Sequence, residues 1–246
     1  MKKLLIILTS VIITALLCGC KNTNNNTAQN VEPIRGAGEM ITRTLQVNDY
    51  DAVSISGGFV VVYQQSDTCS LEVSMQANLF EFIKADVQNK TLNIEFTQDV
   101  STTGGNTPRL YISAPYITSF AAGGALTAEN WNTLVTPRLT FTVNGSANGA
   151  INVETEDLTM NISGGGNIEL SGSADNARIT SNGAVNVSAF GLSVQTAEIS
   201  IMGAGNVDIS VVGTLDAVIS GTGRIRYDGE PNVTQTVTGA GTVIKR

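Results

Sequence analysis

Between Leu139 and Arg246 the chain repeats itself in six rows, and that repetition restricts its fold more than any single motif does. The rows are LTFTVNGSANGAINVETED (139–157), LTMNISGGGNIELSGSADN (158–176), ARITSNGAVNVSAFGLSVQT (177–196), AEISIMGAGNVDISVVGT (197–214), LDAVISGTGRIRYDGEPN (215–232) and VTQTVTGAGTVIKR (233–246). Their starts fall 19, 19, 20, 18 and 18 residues apart. The first five residues of each row alternate and give three columns: Leu139, Leu158, Ala177, Ala197, Leu215, Val233; Phe141, Met160, Ile179, Ile199, Ala217, Gln235; and Val143, Ile162, Ser181, Ile201, Ile219, Val237. Thr, Ser, Asn, Arg and Asp stand between them, so the period is two and each segment reads as a strand with one apolar face. After a glycine-rich turn a second short strand repeats the alternation, as in Val207 and Ile209 or Ile225 and Tyr227.

Equal columns at a fixed period stack most simply as rungs, each strand pairing in parallel with its counterpart one row on. The expected fold class is therefore all-β, a parallel β-helix rising about 4.8 Å per rung. An antiparallel β-sandwich is the runner-up, since short strands and glycine turns suit it too, although it does not require the same columns to recur.

The turns recur as well. They read GGGN, GAVN, GAGN, GTGR and GAGT from Gly164 onward, with Asn167, Asn186, Asn206, Arg224 and Thr242 in fourth place, and the first row supplies GAIN, ending at Asn152, through a corner four residues longer. Glycine reaches positive φ freely and asparagine tolerates it, so Asn152, Asn167, Asn186 and Asn206 are read as structural corner residues, able to hydrogen-bond along a stack. A dinucleotide-binding loop is excluded, because no helix follows and no third glycine is correctly spaced. A calcium-binding nonapeptide needs an acid in every turn; Asp208 and Glu169 hold that place, but Ser188, Arg226 and Ile244 hold it elsewhere. No metal site and no cofactor are expected.

The N-terminal segment MKKLLIILTSVIITALLCGC sets Lys2 and Lys3 before an apolar run from Leu4 to Leu17, too short and wrongly flanked for a membrane span. Its end resembles the lipobox of bacterial lipoproteins, which implies a signal peptide over 1–19 and lipid attachment at Cys20. KNTNNNTAQNVEP is too polar to offset the entropy of ordering, so residues 20–36 are expected to be a flexible tether and 37–246 one folded domain, irregular over 37–138 and regular over 139–246. The expected partner is thus a membrane, through the anchor, and the expected location the outer membrane of a bacterial envelope, on either face.

Loss of Lys2 and Lys3 with the signal takes the net charge from −7 to −9, a poor match for nucleic acid. Within 37–246 Cys69 is the single cysteine, so no disulfide framework supports the domain, and with no histidine in the chain nothing there activates a thiol. Outward acids are concentrated in VETED (Glu154, Glu156, Asp157) and in GRIRYDGE, where Arg226 and Asp228 are expected to form a same-face ion pair. No catalytic residues are assigned. Tyr111, Tyr116, Phe120 and Trp131 cluster within about twenty residues of one another, and Trp131 and Tyr116 are the candidate ligand contacts, because exposed aromatics suit sugars.

Residues 37–100 alternate less regularly, with strands expected at 41–47, 52–56, 59–65, 70–75, 83–88 and 91–96, one helical turn within 77–83, and glycine pairs at Gly57-Gly58 and Gly123-Gly124 resembling the later corners. This half is either an irregular start to the same stack or a β-subdomain capping its first rung; at the other end Lys245 and Arg246, with Gln235 interrupting an apolar column, look like a charged finish against end-to-end pairing. DAVSISGGFVVVYQQ, the GAIN, GGGNI, GAVNV and GAGNV corners and the ending GTGRIRYDGEPNVTQTVTGAGTV together resemble the auto-transporter adhesin "head GIN domain" family of Bacteroidetes, over about residues 45–246. The resemblance implies a right-handed β-helix, no established catalytic residues and a role in adhesion. The functional expectation is a non-enzymatic, lipid-anchored adhesion or interaction module that meets a glycan or a host or envelope protein; the alternative is a glycan-active enzyme of the polysaccharide lyase or hydrolase kind, using paired acids and a basic residue in one groove. Oligomeric state is left open.

Overall fold

The computed structural model describes residues 32–102 and 106–246; the expected signal peptide, Cys20 and the tether as far as residue 31 lie outside the described residues. The protein is all-β. Its strands in chain order are β1 (Ile34–Arg35), β2 (Met40–Leu45), β3 (Ala52–Gln65), β4 (Ser70–Gln76), β5 (Ile83–Gln88), β6 (Thr91–Phe96), β7 (Val100–Ser101), β8 (Arg109–Ala114), β9 (Ser119–Ala128), the long bent β10 (Leu134–Ile201), β11 (Asn206–Gly221), β12 (Arg224–Asp228), β13 (Asn232–Gly239) and β14 (Thr242–Lys245). The expected helical turn is a 3-10 turn over Ala77–Glu81. Pairing with β7 starts at Ile34, inside the segment expected to be tether.

Parallel pairing runs through most of the molecule. β11 lies on β10 with Ala197 beside Leu215, Ile199 beside Ala217 and Ile201 beside Ile219; β13 lies on β11 with Val233, Gln235 and Val237 next in those columns. The shorter β12 and β14 continue the second strand of each row. The same pairing reaches back into the irregular half: β9 pairs in parallel with β10, setting Phe120 beside Phe141, and β3 with β9, setting Val53 beside Phe120. Antiparallel pairs occur only in the N-terminal part among the described residues: β2 with β4, β4 with β8 and β5 with β6. They lie against β3, whose first half pairs β6 and whose second half pairs β8. In this half β3 and β9 pair in parallel with each other and β9 with β10, while the antiparallel strands lie on the far side of β3.

One glycine column explains why the backbone can stack at the corner. From Gly57 it runs through Gly124, Gly145, Gly164, Gly183, Gly203, Gly221 and Gly239, and a Cβ at any member after the first would fall 1.8–2.5 Å from the carbonyl oxygen of the member before. All but Gly203 also have φ between +116° and +157°. No side chain fits that contact, and positive φ adds strain for any residue but glycine.

That column corrects the reading of the first row. The stacked rings of Phe120 and Phe141, 5.6 Å between centroids, and the contact of Gly145 with Gly124 fix the register, so the first-row corner is Gly145-Ser146-Ala147-Asn148 and is no longer than the others. Asn148, not Asn152, begins the asparagine ladder: its Oδ1 accepts from Asn167 N (3.2 Å), Asn167 Oδ1 from Asn186 Nδ2 (3.0 Å), and Asn186 Oδ1 from Asn206 Nδ2 (2.8 Å). Asn152 sits four residues on and donates to Thr133 Oγ1 (2.9 Å).

The three apolar columns are buried from Leu139, Phe141 and Val143 as far as Leu215, Ala217 and Ile219. Ser181 interrupts the third, fully enclosed, and its hydroxyl finds no partner. In the irregular half the interior changes character and fills with large rings. Trp131 packs against Tyr63 (5.5 Å), Phe120 (5.3 Å) and Phe141 (6.5 Å), and donates from Nε1 to the carbonyl of Val61 (2.9 Å). At 9% exposure it closes the junction between the two halves, and this buried position removes it from the ligand contacts expected of it.

Candidate functional site

Several concave places on the surface collect polar side chains, and two of them contain Asp157 and Tyr116. The larger, about 510 Å³, lies on the outward face of the regular rows. Residues flanking the inward Leu158 and Ala177 point to solvent because the strand alternates, and stacking turns them into two adjacent columns: Arg138, Asp157, Asn176, Thr196, and Thr140, Thr159, Arg178, Glu198. Each column is tied across rows. Asn176 Nδ2 donates to Asp157 Oδ1 (2.9 Å), and the Arg178 guanidinium meets both carboxylate oxygens of Glu198. Arg138 makes no ion pair among the described residues and is exposed. Of the acids in VETED, Asp157 lines this groove, while Glu154 and Glu156 are exposed beside it.

Asp208, the acid in the GAGNVDIS corner, pairs along the stack too. It accepts from Arg226 Nε at 2.7 Å and from the same guanidinium's Nη2, because β11 and β12 set the two residues side by side. The hydrogen bonds that Arg226 donates to Asp208, with the charge of that carboxylate, raise the guanidinium pKa further. The expected Arg226–Asp228 pair does not form: those residues are neighbours along one strand, whereas Asp208 is the neighbour across, and Asp228 instead accepts from the Gly229 N–H (3.0 Å).

The second place is a cleft of about 350 Å³ in the irregular half, lined by Asp49, Tyr50, Asp51, Asp67, Cys69, Lys90 and Tyr116. Tyr116 is 44% exposed and is the one predicted aromatic contact that reaches solvent. Tyr50 forms the floor. Its hydroxyl donates to the carbonyl of Ser113 (2.7 Å), with that of Ser70 at 2.9 Å, and so clamps the register-matched ends of β4 and β8. Burial pushes the Tyr50 phenol well above its ordinary pKa, with Cys69 adding to the shift, so it remains a neutral donor. The Cys69 thiol lies 3.5 Å from the Tyr50 amide and carbonyl, half-buried, as a small packing residue does. Sequence reasoning found Tyr116 through aromatic clustering but missed the outward Arg138–Glu198 columns, although the same rows that gave the apolar columns contain them.

Among the described residues no three His, Cys, Asp or Glu lie close enough to hold a metal ion, and no helix is long and apolar enough to cross a membrane.

The family described as "Putative auto-transporter adhesin, head GIN domain" matches residues 49–231. The chain belongs to this family. Three solved structures share the head GIN fold of this chain. A "putative adhesin" from Bacteroides fragilis NCTC 9343 is 23% identical with a TM-score of 0.80, covering 87% of this chain and 100% of that one. A "putative lipid binding protein" from Parabacteroides distasonis ATCC 8503 is 22% identical (TM-score 0.67, 87% and 100%). A "putative adhesin" from Parabacteroides merdae ATCC 43184 is 24% identical (TM-score 0.67, 87% and 98%). No curated protein matches the chain.

Proposed function

We propose that this head GIN protein is a lipid-anchored, non-enzymatic adhesion module of the bacterial envelope, a right-handed parallel β-helix held at the outer membrane through Cys20 and meeting a glycan or a host or envelope protein with its polar side. The observation that supports a binding role is the outward double column from Arg138 to Glu198: Asp157 with Asn176 and Arg178 with Glu198 are held by cross-row bonds, so a hydrogen-bonding partner meets a partly pre-ordered surface beside the exposed Arg138 and loses less to side-chain ordering. Asp157 and Glu198 each spend a carboxylate oxygen or two on a neighbour one row away, which suits rigid display better than proton transfer. Register-matched parallel pairing at 17–20-residue spacing from β10 to β14 favours the β-helix over a sandwich.

The reading is tested by screening the detergent-solubilised chain against a glycan array and matrix proteins, with Arg138→Ala and Tyr116→Ala beside it. Binding that Arg138→Ala weakens about tenfold, the effect of losing one charged hydrogen bond, is expected; no binding to any member of either set counts against adhesion. Anchoring is tested separately, since Cys20→Ala should release the protein from the membrane fraction.

A glycan-active enzyme is the second reading, favoured by one fact: the groove does bring two acids, Asp157 and Glu198, together with Arg138 and Arg178. It requires product release from an acidic polysaccharide that Glu198→Gln abolishes.

A further inference from the structure

The stack is protected at its N-terminal end by antiparallel strands, and at the other end by nothing among the described residues. β13 pairs with β11 on one side only, and every residue from Asn232 to Gly239 is exposed. Val233 and Val237 continue buried columns, standing directly on Leu215 and Ile219, yet are 38% and 40% exposed. A free, flat strand edge is normally guarded by charge, proline or a bulge. The outer strands of the N-terminal part carry such guards: Arg43 in β2, and Lys84 and Asp86 in β5. β13 has none of them. The two cations expected to guard this end are turned back along the molecule. Lys245 Nζ is held by Glu230 (2.5 Å), and Arg246 lies over the Phe190 ring, 4.7 Å from its centre and three rows back.

The sequence of this edge is also symmetric about its middle: Val233, Thr234, Gln235, Thr236, Val237 reads the same in both directions. An antiparallel strand laid against it in register about Gln235 would place Val opposite Val, Thr opposite Thr and Gln opposite Gln. Antiparallel pairing keeps side chains on their own side of the sheet. The inward valines of the second strand would therefore continue the apolar columns, Leu215–Val233 running on into Val237–Ile219 of the other molecule, and the outward threonines would meet as β-branched cross-strand pairs. Charge agrees with this occupant, because a chain carrying seven net negative charges presents here a strand without any, so two copies meet with no like charges opposed along it. We propose that β13 is a self-association edge, and that two copies of this chain join end to end about a twofold axis through Gln235.

Disulfide trapping on the full chain tests the register. Opposed residues of an antiparallel pair have Cα atoms about 4.5–5.5 Å apart, within disulfide reach. Gln235→Cys should therefore give a covalent dimer under mild oxidation, and Thr234→Cys mixed with Thr236→Cys should give one that neither gives alone. Thr238→Cys should stay at the background set by the native cysteines, because its counterpart is Asn232 and two such cysteines would lie about 20 Å apart. The unsubstituted chain, solubilised in detergent, should sediment at twice its monomer mass, and Thr234→Lys/Thr236→Lys, which alters only exposed positions, should halve that mass. A monomeric unsubstituted chain, equal trapping at 235 and 238, or a lysine variant that stays dimeric overturns the proposal.

Discussion

The regular rows and the irregular half solve the same problem with different means. In the rows, three apolar columns of moderate side chains are enclosed because each rung repeats the one before, and the corner is closed by backbone packed on backbone at the glycine column. In the irregular half the interior is filled by unique large residues, with Trp131 packed against Tyr63, Phe120 and, from the first row, Phe141, and Tyr50 clamping β4 to β8. Repetition makes the rows tolerant at outward positions and intolerant at the corner; uniqueness concentrates stability in a few rings and leaves room between them for a cleft such as the one beside Tyr116.

The comparison predicts that the smallest substitution in the rows is the most damaging. Gly164→Ala adds a methyl whose carbon would fall 1.8 Å from the Gly145 carbonyl oxygen, at φ +144°. Neither rung can yield without breaking the stack, so the loss should reach about 5 kcal/mol, the extreme of the range for single substitutions. Chemical denaturation measures it, and a loss under about 1 kcal/mol would show that the corner opens easily. Trp131→Ala should cost somewhat less, about 3–4 kcal/mol, by emptying the centre of the aromatic cluster and removing one of the two hydrogen bonds to the Val61 carbonyl, which keeps the Glu129 N–H. Near-UV circular dichroism and melting should report that loss together, while the outward groove at Arg138 keeps its shape.

This contrast also explains what the sequence made legible. The apolar columns could be read because each residue had five counterparts, and the register found between β10, β11 and β13 sets those same residues side by side. The strands of the irregular half were visible from alternation, but their pairing was not: nothing local shows that Ala52 to Val61 lies beside Ser119 to Ala128, more than sixty residues on. Trp131 looked like a surface contact for the same reason, since its partners Val61 and Tyr63 are distant in sequence. The error at Asn152 arose within the repeat, where GSAN and GAIN offer the same spacing four residues apart and only the stacking of Phe141 on Phe120 chooses between them. The Asp208–Arg226 pair and the Arg138–Glu198 groove were present in the rows, but the outward columns became informative only when the stacking direction was known.

Ser181 is the place where repetition has lapsed inside the rows, and it separates column packing from hydrogen bonding. Its neighbours along the column are Ile162 and Ile201, it is 1% exposed, and its hydroxyl has no partner. Ser181→Ala should raise stability by about 1 kcal/mol, because a buried unsatisfied hydroxyl is removed at little cost in volume.

The smallest effect belongs to the asparagine ladder. Asn186 accepts from Asn206 and donates to Asn167, but all three side chains are exposed or nearly so, and water replaces each bond when it is lost. Asn186→Ala should therefore cost only about 0.5 kcal/mol, the low end for a hydrogen bond, with Asn152→Ala no larger since its single partner is Thr133. If thermal unfolding instead puts Asn186→Ala near the loss from Gly164→Ala, the ladder and not the glycine column holds the corners, and the stack depends on side-chain bonding along its length rather than on the close approach of its backbone.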